Sequence, residues 1–471
     1  MEQPEEFSPL ARRYRNLVCG AFPQRRFQDE DFFAAQPRLH SELEWQSKWF
    51  AGEFGRRFST TDGRAVEIIQ FGWWNHGAGP DFRECAVTVD GQRLRGSMEL
   101  DLEDRDWERH RHAENPAYED VVLHLFLKRG GGEFFTRNAS HRNVPQVLLD
   151  GAVADARPAM NQPAAHPGRC SAVLRDWPRQ RVESLLEAAA RFRLERKAQR
   201  WRRVAAIHGW DQAAFQAVAE ALGYRKNKLP MTVLAQRFPL KHLRQHPRER
   251  EALLFGAAGF LDGVSFDDAD TDTRTYLRSL WEIWWKRRAE FAGEAQRRPL
   301  HWNFSAVRPA NHPQRRVAAL GAVAEAWQTV RRCLQADSFS EKEFAKTFRA
   351  LTHPYWDVHY TLTSRPSAKR LALVGAARIA DLLANLAFPM LVPQREPLWS
   401  SYCQLSAPLS NEKSTLAALR LFGGTPLAEA FGARVFHQQA LIQLLEDFCM
   451  VDATDCIGCP FPEQLGQWAA V

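Results

Sequence analysis

FGWWNHGAGPDF (71–82), ECAVTVDGQRLRGSMELDL (84–102), DRDWERHRH (104–112) and PAYEDVVLHLFL (116–127) follow one another almost without a break. Apolar and polar residues alternate on both sides of Asp90-Gly91. That dipeptide accepts the positive φ of a tight turn, so the pattern predicts a hairpin of strands 82–89 and 93–102. VVLHLFL (121–127) is a nearly continuous apolar run, as expected of a strand covered on both faces.

Working outward, STTDGRAVEIIQFG (59–72) predicts a turn at Asp62-Gly63 and a strand over 65–71, and PQVLLDG (145–151) a closing strand. Polar residues 104–116 leave room for one short helix. Residues 7–57 read as helical, with ELEWQSKWF (42–50) amphipathic. Residues 156–169, ARPAMNQPAAHPGR, carry three prolines without periodicity, and a linker is expected over 156–176. From Trp177 onward the strong signals are helical: 178–205, 211–223, 247–262, 272–292, 314–336, 341–350, 366–387, 411–421, 425–432 and 434–449. The expected class is α+β, with a small mixed-sheet domain over 1–155 and a larger all-α domain over 177–471.

The chain has 471 residues, 45% hydrophobic and 25% charged, within the range of ordinary globular protein. No apolar run reaches the length of a membrane span, and the polar, acidic start does not read as a signal peptide. A cytoplasmic protein without membrane contact is expected. The net charge is +7, with 63 basic and 56 acidic residues interleaved. Local excess is more informative. RFRLERKAQRWRRV (191–204) sets its basic side chains against a single Glu, and its Arg200, Arg202 and Arg203 flank or follow Trp201. They are candidate nucleic-acid contacts, or one solvated helix face.

Chemistry concentrates on the strand pair. Asp81 opens one strand. On the next, Leu94, Met98, Leu100 and Leu102 face one way, and Arg95, Ser97, Glu99 and Asp101 the other. Two carboxylates at i and i+2 repel unless something positive lies between them, whether a divalent cation or an arginine such as Arg83 or Arg95. A strict two-residue turn pairs Val87 with Leu94 and therefore Asp81 with Leu100. That puts Asp81 on the opposite face from Glu99, unless a bulge near 82–84 shifts the register. His110, His112 and His124 follow within 25 residues, as possible ligands or bases. The plainer alternative makes Asp81 a turn residue and puts Glu99 and Asp101 on a solvated face.

This arrangement resembles the PD-(D/E)XK nuclease core. The likeness implies that Asp81 and Glu99 bind Mg or Mn, and that position 101 carries a lysine orienting the water; here it is Asp101. Thr60-Thr61-Asp62-Gly63, Gly72-x-x-Asn75, Gly79-Pro80-Asp81-Phe82, Glu99, Asp106-Trp107, His110-x-His112, Tyr118 and Leu123-His124 also resemble the bacterial domain-of-unknown-function family 2851. So do Leu222-Gly223-Tyr224, Leu254-Phe255-Gly256, Trp302-x-Phe304, Arg308-Pro309-x-Asn311-x-Pro313-x-x-Arg316, Gln438-Gln439 and the C-terminal Cys-Pro stretch. That family commonly has Glu-x-His where this chain has Glu99-x-Asp101, and the resemblance implies no established activity.

Cys449, Cys456 and Cys459 cluster near the C-terminus. A CxxC turn brings two thiolates to one ion, so a zinc or iron–sulfur site is expected, with Cys403 as fourth ligand and His437 behind it. Free buried cysteines are the alternative. HWNFSAVRPANHPQRR (301–316) is a non-periodic segment in which Arg308-Pro309 and Asn311 hold a turn and Arg316 opens a helix. An arginine there opposes the helix dipole, so an acidic or phosphate partner is expected. Arg308 and Arg316 are accordingly candidate nucleic-acid contacts, or parts of a structural cap. The leading expectation is metal-dependent cleavage of DNA or RNA. The alternatives are a non-catalytic nucleic-acid-binding protein on the same scaffold and a metal-dependent hydrolase of a small substrate.

Overall fold

A computed structural model describes residues 7–23, 41–75, 79–149, 163–224, 226–263, 269–297, 299–305, 307–407, 412–452 and 454–468. Parts of the expected N-terminal helix, the loop after Asn75 and the linker lie outside the described residues. The class is α+β. The described strands are β1 (Arg57–Ser59), β2 (Ala65–Gln70), β3 (Trp73–Trp74), β4 (Phe82–Val89), β5 (Gln92–Glu103), β6 (Val121–Lys128) and β7 (Gln146–Leu148). They form one mixed sheet of order β1-β2-β4-β5-β6-β7, with β3 paired to β4. β1 to β5 pair antiparallel, and β5-β6 and β6-β7 pair parallel. Between β5 and β6 lie the short helix Asp106–Arg109 and two 3-10 turns, His112–Glu114 and Pro116–Tyr118.

The structure divides into two compact units; one boundary, at 153/154, falls beside the expected linker, but the helical part that follows is shared between the units. One comprises 1–37, 154–202 and 376–471; the other comprises 38–153 and 203–375. The reason lies in what covers the sheet's neighbourhood. The helix Glu42–Phe50 is capped by Ser41, whose side chain accepts from the Glu44 N–H. It buries Leu43, Trp45, Trp49 and Phe50, with Trp49 5.1 Å from Phe71 between ring centroids. Later helices complete this core. Gln236, on the helix Lys228–Arg237, donates to the Ser47 carbonyl at 3.3 Å, and Arg237 lies over Trp74. His208 stacks on Phe50 at 3.9 Å. The first helices after residue 203 therefore belong with the sheet.

The other unit holds the helices Pro9–Ala21, Cys170–Arg175 and Glu412–Phe422, with most of Arg179–His208. The basic run 191–204 lies on that last helix, and much of its charge is paired within the unit. Arg191 bridges Glu195 and Glu396, Arg193 reaches Gln443 and Glu446, and Lys197 reaches Asn385 and Gln439. Arg200, Arg202 and Arg203 are half-buried, so the run is not one solvated face.

Two helical expectations change. The span 314–336 breaks at Ala326 into Pro313–Glu325 and Trp327–Gln335. Residues 366–375 are not helical, because their backbone is engaged elsewhere: Ser367 and Leu371 donate to the Val358 and Asp357 carbonyls. Arg315, fully buried, donates to the carbonyls of Trp356, His359 and Ala372. Arg316, 4% exposed, donates to Leu373, Ala310 and Asn311. These arginines donate to backbone and amide oxygens from buried positions, so Arg316 is corrected from a nucleic-acid contact to an internal brace. Arg308 is exposed.

One helical stretch, Ala376–Gln394, is long and apolar enough to cross a membrane by length and composition, and 67% of its most apolar window is buried inside the protein.

Candidate metal centre

The site is built on a register slip. β4 and β5 pair Val87 with Leu94 and Cys85 with Gly96, as the Asp90-Gly91 turn dictates. Phe82 then pairs with Met98, one residue out of step. Glu84 takes up the slip at φ +58, in a bulge of the kind that re-aims a side chain. Asp81 is thereby set against Glu99 instead of Leu100. Its N–H donates to Glu99 Oε2 at 2.8 Å, and its Oδ2 accepts from the Leu100 N–H at 3.1 Å and from Gln46 Nε2 at 2.7 Å. Asn75 holds the approach, donating from its backbone to the Asp81 carbonyl and from its side chain to the Pro80 carbonyl.

Glu99 and Asp101 are 2% and 0% exposed, so this is not a solvated face. Arg95 is exposed, and imidazole side chains lie against both carboxylates. His112 Nδ1 lies 3.5 Å from Glu99 Oε1, His110 Nδ1 3.3 Å from Asp101 Oδ1, and His124 Nε2 3.2 Å from Asp101 Oδ2. Ligand atoms of Glu99, Asp101 and His112 all lie within 4.8 Å of one another. The structure thus brings Asp81, Glu99, Asp101, His110, His112 and His124 into one network. The tightest metal-sized set replaces Asp81 with Asp101 and His112.

Burial works to raise the Asp101 carboxyl. Hydrogen bonds to His110 and His124, with the charges of His124 and His112, outweigh it and hold the group well below the usual carboxylate range. The bond to Asp101 in turn raises His110 above its ordinary value.

Residues read in the sequence only as part of the family resemblance, such as Trp107 and Tyr118, or not singled out at all, such as Thr136 and Gln146, hold these rings in place. Trp107 is fully buried and donates to the Arg137 carbonyl. It packs against His112 at 5.3 Å, Tyr118 at 5.7 Å and His124 at 5.1 Å. His112 stacks on Tyr118 at 4.0 Å, and the Tyr118 hydroxyl donates to the Gly79 carbonyl. Thr61 donates to Gln146, and Gln146 donates to Thr136. Thr136 Oγ1 lies 2.6 Å from His124 Nδ1. Thr136 and Asp101 thus engage the two ring nitrogens of His124 from opposite sides. Gln46 was legible only as one polar position on an amphipathic helix.

The cysteine expectation changes in one member. Cys170, Cys449, Cys456 and Cys459 are each within electrostatic reach of the other three. Cys403 instead neighbours Glu183, Glu187 and Tyr402, and His437 pairs with Glu183 at 2.9 Å. The fourth thiol comes from the start of the helix Cys170–Arg175, a position with no local motif to mark it.

No curated protein and no solved structure matches this chain. A family model described as "Protein of unknown function (DUF2851)" matches residues 42–403. The match includes the sheet, the acidic site and Cys170, and stops short of Gln438 and the C-terminal cysteines. Spanning well over half of the chain, it shows that the protein belongs to the DUF2851 family.

Proposed function

We propose that the sheet carries a metal-dependent phosphodiesterase site acting on DNA or RNA, in a cytoplasmic protein. The observation that carries this reading is the convergence of Glu99, Asp101 and His112 within 4.8 Å, with Asp81 hydrogen-bonded beside them. Two buried carboxylates and one imidazole fit a divalent cation that accepts mixed oxygen and nitrogen ligands, which favours Mn over Mg. Such an ion, when bound, polarises a phosphodiester and makes its water a better nucleophile.

The chain's own residues supply the rest. Glu99, Asp101 and His112 would hold the ion. Asp81, pinned by Gln46 and the Leu100 amide, fixes Glu99 through its own N–H. Asp101 stands where the related nuclease cores carry a lysine, and it orients His110 through Nδ1. His110 is the partly exposed member, its side chain 43% accessible. Its Nε2 is therefore the atom that takes a proton from the attacking water. His124, locked between Thr136 and Asp101, keeps Asp101 ionised and correctly turned.

The test is cleavage of single- and double-stranded DNA and RNA with Mn or Mg, comparing wild type with Glu99→Gln. Mn-dependent cleavage lost in the variant at unchanged melting temperature supports the site; equal activity in both removes it. The lysine-to-aspartate exchange favours a second reading, a non-catalytic nucleic-acid binder. Tight binding with no cleavage by wild type under either metal selects it.

A further inference from the structure

We infer that Cys170, Cys449, Cys456 and Cys459 ligate one iron–sulfur cluster, with Cys170 as the fourth ligand and Arg420 as its buried counter-cation. The four residues are at most 8% exposed and come from two parts of the chain that a clamp holds together. Arg169, next to Cys170, donates to the carbonyls of Cys456, Ile457 and Cys459 at 3.0–3.4 Å, and to Glu463 at 2.7 Å. Gly168 brings the backbone close to both sulfurs: a Cβ there would lie 3.1 Å from Cys456 Sγ and 3.5 Å from Cys170 Sγ. Cys456 itself sits at φ +75, after Asp455 at φ +47, two left-handed positions in a row that other contacts must maintain.

Size and charge choose the occupant. A tetrahedral zinc with Zn–S bonds of about 2.3 Å holds its sulfurs about 3.8 Å apart. Among the described residues the set of three ligand atoms mutually within 4.8 Å is Glu99, Asp101 and His112; no three of the four sulfurs close up that far. A four-iron cluster, where each thiolate meets a different iron, suits the wider arrangement. Four thiolates around such a cluster leave net negative charge in a buried place. Arg420, 1% exposed, answers it: Nη2 lies 2.6 Å from Cys456 Sγ, and the guanidinium also reaches Cys449. The Phe461 N–H donates to Cys459 sulfur, the kind of outer contact that steadies a cluster thiolate. Binding releases the four thiol protons to solvent.

The test is full-length protein purified without oxygen and assayed for metal and acid-labile sulfide. The expected result is brown protein with about four iron and four sulfide per chain. Cys170→Ser should lose most of the iron, and Cys403→Ser should keep it. One zinc per chain without sulfide overturns the cluster. Iron retained in Cys170→Ser but lost in Cys403→Ser overturns the ligand set. Should Cys170→Ser fail to fold, thiol alkylation of iron-loaded wild type decides. Cys170, Cys449, Cys456 and Cys459 should be protected until a chelator is added, and labelling of Cys170 in the loaded protein overturns the proposal.

Discussion

The acidic site and the cysteine group are both clusters of metal-ligand side chains, but they are assembled in opposite ways. Glu99, Asp101, His110, His112 and His124 come from one strand, the turn after it and the next strand. Local pairing and one bulge bring them together. The cysteines join Cys170 to residues at the other end of the chain, through the Arg169 clamp. The partners of the acids also differ from those of the thiols: they are imidazoles. The thiols have Arg420, which stays charged. A locally assembled site can lose a ligand and keep its scaffold. A site that closes a long loop contributes to the fold it sits in.

The largest expected effects separate the two directly. Glu99→Gln should reduce Mn-dependent cleavage to background while leaving iron content and melting temperature unchanged. Cys456→Ser should do the reverse, lowering iron content and melting temperature while cleavage by the remaining folded protein persists. If Glu99→Gln also lowers iron, or Cys456→Ser abolishes cleavage in folded protein, the two centres are not independent.

Next is the support of the acidic site. Trp107 is fully buried and touches three of the rings around the acids. Trp107→Ala should destabilise by about 3–5 kcal/mol, the usual cost of emptying such a volume. Denaturant unfolding measures it, and a loss under about 1 kcal/mol would mean that the site collapses around the gap.

The same contrast explains what could be read in advance. The hairpin, the apolar strand β6 and the turn at Asp90-Gly91 are local, and their patterns carry over 82–102 and 121–127 almost unchanged. The bulge is different. It depends on Glu84 accepting φ +58 so that Asp81 can bond Glu99 and Gln46, and no turn residue announces that. Cys170 is a lone cysteine beside prolines, with nothing in its spacing to tie it to Cys456. Cys403 was nearer in sequence, and proximity along the chain was the wrong guide. Arg316 reads as needing an acidic or phosphate partner because one of its acceptors, the Leu373 carbonyl, comes from a segment whose sequence reads as helix.

A third expectation concerns pH in the sheet's unit. His208 lies against Phe50 and hydrogen-bonds to the Phe50 carbonyl. Burial, aided by Arg56 and opposed by that bond, pushes it down to about 4. The unfolded chain binds the proton near 6.5, so its stabilisation is full above that value and is lost as pH falls toward 4. The loss should be roughly 3 kcal/mol across that window. Melting temperatures from pH 7 to 4 should flatten in His208→Gln relative to wild type, and an equal slope in both would assign the acid sensitivity elsewhere.

The smallest effect is the most diagnostic of how the acidic site is held. Gln46 touches none of the proposed ligands directly; it donates to Asp81, whose N–H donates to Glu99. Such an outer partner typically costs about 10-fold to 100-fold in metal affinity or activity when removed. Gln46 is fully buried, so Gln46→Leu keeps the packing volume while removing the amide. The prediction is about 10-fold weaker Mn dependence, at the low end of that range because the Leu100 N–H still holds Asp81 Oδ2. Gln46→Glu should be worse than Gln46→Leu, since it puts a carboxylate against Asp81 and removes the donor. A titration of cleavage rate against Mn measures both. Equal Mn dependence in wild type, Gln46→Leu and Gln46→Glu would show that Asp81 is fixed by the strand bulge alone, and the locally assembled site would then need no help from the helix that covers it.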